Sequence, residues 1–395
     1  MLTRRSLLLQ SAAALAAGKP ALIHSCDPPA AAGSGMAYLA PGRDGSLLLS
    51  WLEPTGAKGQ RMRISRWRDG SWGSPWEVAS GENWFVNWAD FPSIIELPSG
   101  TILAHRLERI GFGKYGYGIH VTHASGWNQP WSTSMRMSPG DPEDYTGFLS
   151  FTPTINGGAA AAYLAPPAEP KAGEHRKTLR YIEIDSAGAG SNDREIDPDV
   201  CSCCQTAIAA MQHRLVIAYR DHMAGEIRDI SLLLRENGRW SAPRTLHADK
   251  WMINGCPSDG PSLAAHGDFS GIAWLTRANE QPRIQAALGS TGASSFGPPV
   301  RVDDGNPLGR PAVVAHANTL FIVWLEKTAS GAEVRLKSLN SQASLGRSVC
   351  VATVAASRAA GFPKLAVVGD RLLIAWREQR VRAAWIDVKS LPKIA

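Results

Sequence analysis

Four cysteines and a histidine carry the sharpest chemical signal in this chain of 395 residues. Cys201, Cys203 and Cys204 crowd into Asp199-Val200-Cys201-Ser202-Cys203-Cys204-Gln205-Thr206, and Cys256 follows in Asn254-Gly255-Cys256-Pro257. Three chemistries suit the group. In an oxidising compartment Cys256 pairs with one of the three, with a Cys203–Cys204 ring as a further option. Thiolates are soft ligands for copper or zinc, with His222 as a nitrogen ligand from the next loop, although adjacent cysteines chelate one ion awkwardly. A redox-active thiol pair is the third. Cys350, in an outer strand, reads as an inert core thiol.

The second constellation is charged. Tyr219-Arg220-Asp221 ends one apolar run, and Glu226-Ile227-Arg228-Asp229 opens the next. Comparable positions elsewhere hold Glu53, Arg109, Arg277, Glu326 and Glu378, and the loops between repeats add Asp90, Asp141, Glu143, Asp144, Tyr145, Asp259 and Arg310. Arginines converging on one funnel bind carboxylates or phosphates through paired hydrogen bonds. Arg109, Arg220, Arg228, Arg277 and Arg310, with Asp90, form the candidate ligand-binding set. Carboxylates among them act as acid and base if burial separates their pKa values. Tyr145, Glu226 and Asp221 are the candidate catalytic residues. Asn83 to Phe91 adds Trp84 and Trp88, whose faces stack on sugar rings or plug a channel.

These residues need a scaffold, and the chain repeats one. Short apolar strands begin near Gly35, Phe91, Phe151, Cys204, Gly260, Gly309 and Gly361, and second strands end at Trp51, His105, Tyr163, Tyr219, Trp274, Trp324 and Trp376. The period of roughly 50 to 60 residues is that of propeller blades. The reading is all-β, a propeller of seven blades, with six as the alternative. Fourth strands fall near Pro75–Val78, Ser132–Met137, Arg194–Ile196, Pro243–Leu246, Pro299–Val302 and Ser348–Ala352. The seventh repeat has three strands, and Ala21–Ser25 is expected to supply its fourth, which closes the ring without an open edge. The register puts the loops leading into blades four and five side by side, so Cys256 lies near the other three cysteines.

Fourteen tryptophans and 38 glycines suit many short strands and tight turns. The net charge of +6 comes without a basic block, so no nucleic-acid partner is expected. Thr3-Arg4-Arg5-Ser6 before an apolar run resembles a twin-arginine leader, and the run is too short to span a membrane. The division is a signal segment over 1–26 and one propeller domain over 27–395. Export leads to the periplasm or the cell surface, with lipid attachment at Cys26 as an option.

Arg68-Asp69-Gly70-Ser71-Trp72 and Glu236-Asn237-Gly238-Arg239-Trp240 resemble weakened Asp-box turns. With the Cys-x-Cys-Cys stretch, the chain is similar to exported bacterial sialidase-like (BNR-repeat) propellers. That resemblance implies the fold. Sialidases hold an arginine in an Arg-Ile-Pro-like motif ahead of blade one, and none stands here. They are also usually six-bladed. The expected function is therefore a monomeric binding propeller for a small anionic or glycan ligand, or a metal, on its top-face loops. The alternatives are an exo-sialidase-type glycoside hydrolase and a protein-interaction scaffold.

Overall fold

The computed structural model describes residues 22–392, apart from 112, 138–143, 170–175, 212 and 291–294. Residues 1–21 of the expected signal segment, together with Asp141 and Glu143, lie outside the described residues. Seven antiparallel sheets form a seven-bladed propeller. Their innermost strands are Gly35–Pro41, Ser93–Glu96, Gly147–Pro153, Ala207–Met211, Ser262–His266, Pro307–His316 and Lys364–Val368. Each touches the next, and the last touches the first. Loops between blades, and loops joining second to third strands, share the top face.

The fourth strands fall where the sequence puts them, at Met135–Arg136, Gly190–Val200, Val300–Arg301 and Val349–Val354. Blades one and four split theirs in two, as Ser71–Trp72 with Trp76–Gly81 and Arg239–Trp240 with Arg244–Thr245. The seventh blade takes its outer strand from the chain start. His24 lies opposite Trp385, with ring centroids 4.0 Å apart, and the Cys26 N–H donates to Ala383 O at 2.9 Å. The propeller thus includes residues ahead of position 27. Lipid attachment at Cys26 would require cleavage just before it, which would strip this strand from blade seven.

Second strands are packed on both faces, so they read as continuous apolar runs rather than alternating ones. Leu47–Leu52 and Ala159–Ala165 are buried throughout. The recurring tryptophans sit here, and three of them explain acidic residues that looked functional. Trp51, Trp324 and Trp376 each donate the indole N–H to the glutamate two residues on, Glu53 at 2.7 Å, Glu326 at 2.6 Å and Glu378 at 2.9 Å. Glu326 also accepts from the backbone of Asn306 at 2.5 Å, which ties the loop leading into blade six to that blade's second strand. Glu326→Ala leaves these buried donors unmatched and should cost about 2–3 kcal/mol in denaturant unfolding. In blade two the register puts Arg106 at the tryptophan position, where its Nε donates to Glu108 at 2.6 Å. His105, one residue earlier than expected for that position, accepts the Ser93 N–H at 3.1 Å, and burial lowers its pKa to about 3.

Both Asp-box-like turns are strand connectors on the opposite face. Asp69 and Gly70 (φ 52° and 87°), like Asn237 and Gly238 (49° and 78°), take the left-handed pair of conformations that tight hairpins require. Cys350 corrects an expectation: it lies in the outer strand as read, but its side chain is exposed, because Val349 and Val351 take the inward positions.

Candidate functional site

The loops leading into blades four and five bring the four cysteines together, as the repeat register predicts. Cys203 and Cys256 form a disulfide, and Cys201 and Cys204 remain thiols with their sulfurs 3.5 Å apart. Cys201 Sγ lies 4.0 Å from Cys203 Sγ. Cys201 and Cys204 are buried, whereas Cys256 is exposed. Burial drives the Cys204 thiol well above its ordinary value. The hydrogen bond from Cys204, helped by Arg220, brings Cys201 down to about 7.

The sulfurs of Cys201, Cys203 and Cys204 lie within 4.8 Å of one another, close enough for a metal ion. The oxidised Cys203 is not a thiolate donor, however, so two remain, fewer than a zinc site built on protein ligands ordinarily uses. His222 does not join them. Its Nδ1 meets Asp199 at 2.9 Å and its Nε2 meets Glu226 at 3.5 Å.

The charged candidates divide by what already engages them. Arg220 is 2% exposed, and its guanidinium donates to three backbone carbonyls: Asp259 at 2.8 and 2.9 Å, Leu275 at 2.8 Å and Arg228 at 2.5 Å. It stacks on Trp251 with its carbon 4.7 Å from the ring centroid. Arg220 is thus a clamp between blades four and five, with four of its five donors already used. Arg228 pairs with Glu226 at 2.5 Å, which holds the Glu226 carboxyl below its usual range. Asp221 accepts from Ser231 at 2.6 Å, and burial raises its pKa. Arg109 is exposed over Phe85, and Arg277 is exposed near Asp259. Trp84 is 8% exposed and packs in the core between blades one and two.

Asp90 and Asp259 play one structural part in two places. Asp90 accepts from Phe148 N–H and from Tyr117 Oη, both at 2.9 Å; Asp259 accepts from Arg310 N–H at 2.6 Å. Phe148 and Arg310 both have positive φ, at the irregular start of an innermost strand. Each aspartate therefore pins the next blade. Burial raises Asp90 to about 7 and Asp259 to about 6. Tyr145 stacks on Tyr117 at 5.1 Å, and burial followed by the charges of Asp144 and Asp90 raises its pKa well above the usual value. Such a phenol resists becoming the phenolate that a nucleophile needs.

What converges on the axis was largely unread. A cavity of about 180 Å³ occupies the top-face end of the channel, lined from all seven blades by residues that include Tyr38, Phe91, Ser150, Gln205, Ser262 and Lys364. Trp88, in the loop leading into blade two, is not among its lining residues but packs on one of them. It stacks on Phe362 at 5.8 Å, with Arg310 and Arg358 at 4.7 and 5.3 Å from its ring. Beneath, Lys364 Nζ sits 3.8 Å from the Phe91 centroid, with Phe362 and Tyr38 at 5.5 and 5.6 Å. Among the described residues no carboxylate lies within ion-pair distance of the Lys364 side chain and no hydrogen bond engages its ammonium. Burial lowers its pKa to about 7. A larger groove, about 620 Å³, lies on the opposite face, but Tyr181, Glu183 and Arg235 on its wall already bond to one another.

Lys364 also predicts a pH dependence. Between about 7 and the ordinary 10.5 the unfolded chain binds the proton that the folded chain has lost, so this residue makes stability rise with pH across that window. Asp90 and Asp259, with raised values, act lower: their contribution is full below 3.8 and is lost as pH rises through 6 and 7. Lys364→Met should therefore be more stable than the parent at pH 7 and below. The gap in melting temperature should close as pH approaches 10.5.

No family profile matches the chain, and no curated protein matches it. Solved structures superpose over nearly its whole length. A protein of unknown function from Dyadobacter fermentans has TM-score 0.52 at 11% identity, covering 93% of this chain and 95% of its own. The Penicillium chrysogenum alpha-L-arabinanase, solved with arabinobiose, has 0.51 at 14%, covering 94% and 100%. The Fusarium graminearum GH93 alpha-L-arabinofuranosidase, also with arabinobiose, has 0.51 at 15%, covering 93% and 98%. At these identities the likeness shows a shared propeller fold.

Proposed function

We propose that this is an exported binding propeller whose channel holds a small anionic ligand, a carboxylate or phosphate no larger than a single sugar unit, through Lys364. The observation that carries the reading is a channel lysine boxed by Tyr38, Phe91 and Phe362 and without an anionic partner. Lys364 is half-buried, and a cation held among aromatic faces with little water and no counter-ion gains from an anion in the cavity. Aromatic faces beside it suit the C–H face of a sugar acid. Arabinobiose in the two fungal enzymes is neutral, so the lysine is the reason to look for an acid here. The Cys203–Cys256 disulfide supports a compartment outside the reducing cytoplasm.

The hydrolase reading finds less support. Among the described residues no hydrogen bond joins Tyr145 to Glu226 or Asp221, and Tyr117, which does bond Asp90, is 2% exposed between Phe85 and Tyr145. A thermal-shift panel of small carboxylates, phosphate, sugar acids and neutral sugars tests the proposal. Acids should stabilise the parent at pH 6 and leave Lys364→Met unmoved. Stabilisation of both proteins by neutral sugars alone would refute it.

A further inference from the structure

Four sulfurs at the junction of blades four and five form a connected series that the channel proposal does not use. Cys256 opens to solvent and is bonded to Cys203; Cys203 Sγ is 4.0 Å from Cys201 Sγ, and Cys201 Sγ is 3.5 Å from Cys204 Sγ. Cys201 and Cys204 are three residues apart, the spacing of a Cys-x-x-Cys dithiol. A reduced pair thus sits beneath an oxidised one, within reach of a single sulfur-to-sulfur transfer, and the outermost sulfur alone faces solvent.

We propose that these cysteines form a thiol–disulfide exchange site that delivers the electron pair of the buried Cys201–Cys204 dithiol to an external disulfide arriving at Cys256. Cys201 sulfur, losing its proton to water, attacks Cys203; the Cys203–Cys256 bond breaks and Cys256 leaves as a thiolate. Cys204 then attacks Cys201, its proton passing to the departing Cys203 sulfur as the Cys201–Cys203 bond breaks, so Cys203 leaves as a thiol. Two thiols and a disulfide have become a buried disulfide and two thiols, with no outside oxidant. Cys256 next attacks the external disulfide, expelling one of its sulfurs as a thiolate. Cys203 attacks Cys256 in the resulting mixed disulfide and expels the other. The net change is oxidation of Cys201 and Cys204 to one disulfide and reduction of the external disulfide to two thiols, once per chain.

The order of sulfurs supplies the direction of travel. Cys201 lies 3.5 Å from Cys204 and 4.0 Å from Cys203 and so links the two, and Cys256 is the exposed end that an external disulfide meets. Single substitutions therefore stop the sequence at different places. In Cys204→Ser the first transfer still runs but cannot be resolved. In Cys201→Ser nothing begins.

The test incubates the folded protein with oxidised glutathione, quenches with acid and maps every cysteine by mass spectrometry. Cys26 and Cys350 are present in all variants and are read separately on the map. The parent should acquire a Cys201–Cys204 bond, keep Cys203–Cys256, and release two glutathione thiols per chain in doing so. Cys204→Ser should accumulate Cys201–Cys203, with Cys256 carrying glutathione. Cys201→Ser should be slower at Cys256 by about tenfold or more. If Cys201→Ser fails to fold, the Cys204→Ser product decides alone. Cys201 and Cys204 remaining thiols after prolonged incubation, glutathione attached to either of them, or an unchanged rate in Cys201→Ser would overturn the proposal.

Discussion

Arg220→Met should cost about 3–5 kcal/mol in reversible denaturant unfolding, the largest loss expected of any single charged residue here. The side chain is 2% exposed and reaches three carbonyls on two different blades. Methionine fills much of the volume but leaves those oxygens in a dry site without donors, and each orphaned acceptor costs about 1–3 kcal/mol. The effects do not sum, because the loop can shift to admit water once the first bond is lost. Arg220→Lys should recover only part, since a single ammonium cannot reproduce the planar fork. The same guanidinium helps lower Cys201, so the Cys201 thiol should rise in Arg220→Met. A loss below about 1 kcal/mol would show that the blades are joined by other means.

Gly260→Ala should be comparably damaging, by about 3 kcal/mol or more, for a steric reason alone. A Cβ there would stand 2.7 Å from Gln205 N and 2.8 Å from Gln205 C, and closer still to its carbonyl oxygen. These are backbone atoms of the neighbouring blade, so no side chain can rotate away. Gln205 accepts the Gly260 N–H at 2.7 Å and donates to Ala89 O, so its displacement also disturbs the loop that carries Trp88. Gly255→Ala is the matched control in the same loop: its nearest neighbour, Ile253, would be 3.8 Å away, an ordinary contact. It should stay within about 0.5 kcal/mol of the parent.

Periodicity made the fold legible. Apolar strands ending in Trp or Tyr recur with the blades, and the short seventh repeat demanded a partner that His24–Ser25 supplies. The adjacency of Cys256 to Cys203 followed from the same register. Individual side chains were harder to read, because a sequence shows a charge and not its acceptor. Arg220 looks like a ligand-binding arginine until its carbonyl partners are seen, and Glu53, Glu326 and Glu378 look like funnel acids until each is found holding an indole two residues away. That Trp-x-Glu spacing was visible, as was the Cys-x-x-Cys spacing of Cys201 and Cys204, masked by the intervening Cys203. Lys364 had a signal too. Across the blades its register position is filled by Tyr38, Ser150, Ala207, Ser262 and Ala312, so it alone of these brings a charge to the channel wall.

The central claim is that Lys364 binds an anion as a cation taken from its neutral form. The anion giving the largest thermal shift should be titrated calorimetrically at pH 8 in buffers of different ionisation enthalpy, with the parent and with Lys364→Met. Since Lys364 is mostly neutral above about 7 in the empty channel, binding should take up protons, approaching one per site, and the variant should take up none. Equal affinity and equal proton uptake in the two proteins, or no binding to either, would contradict the account.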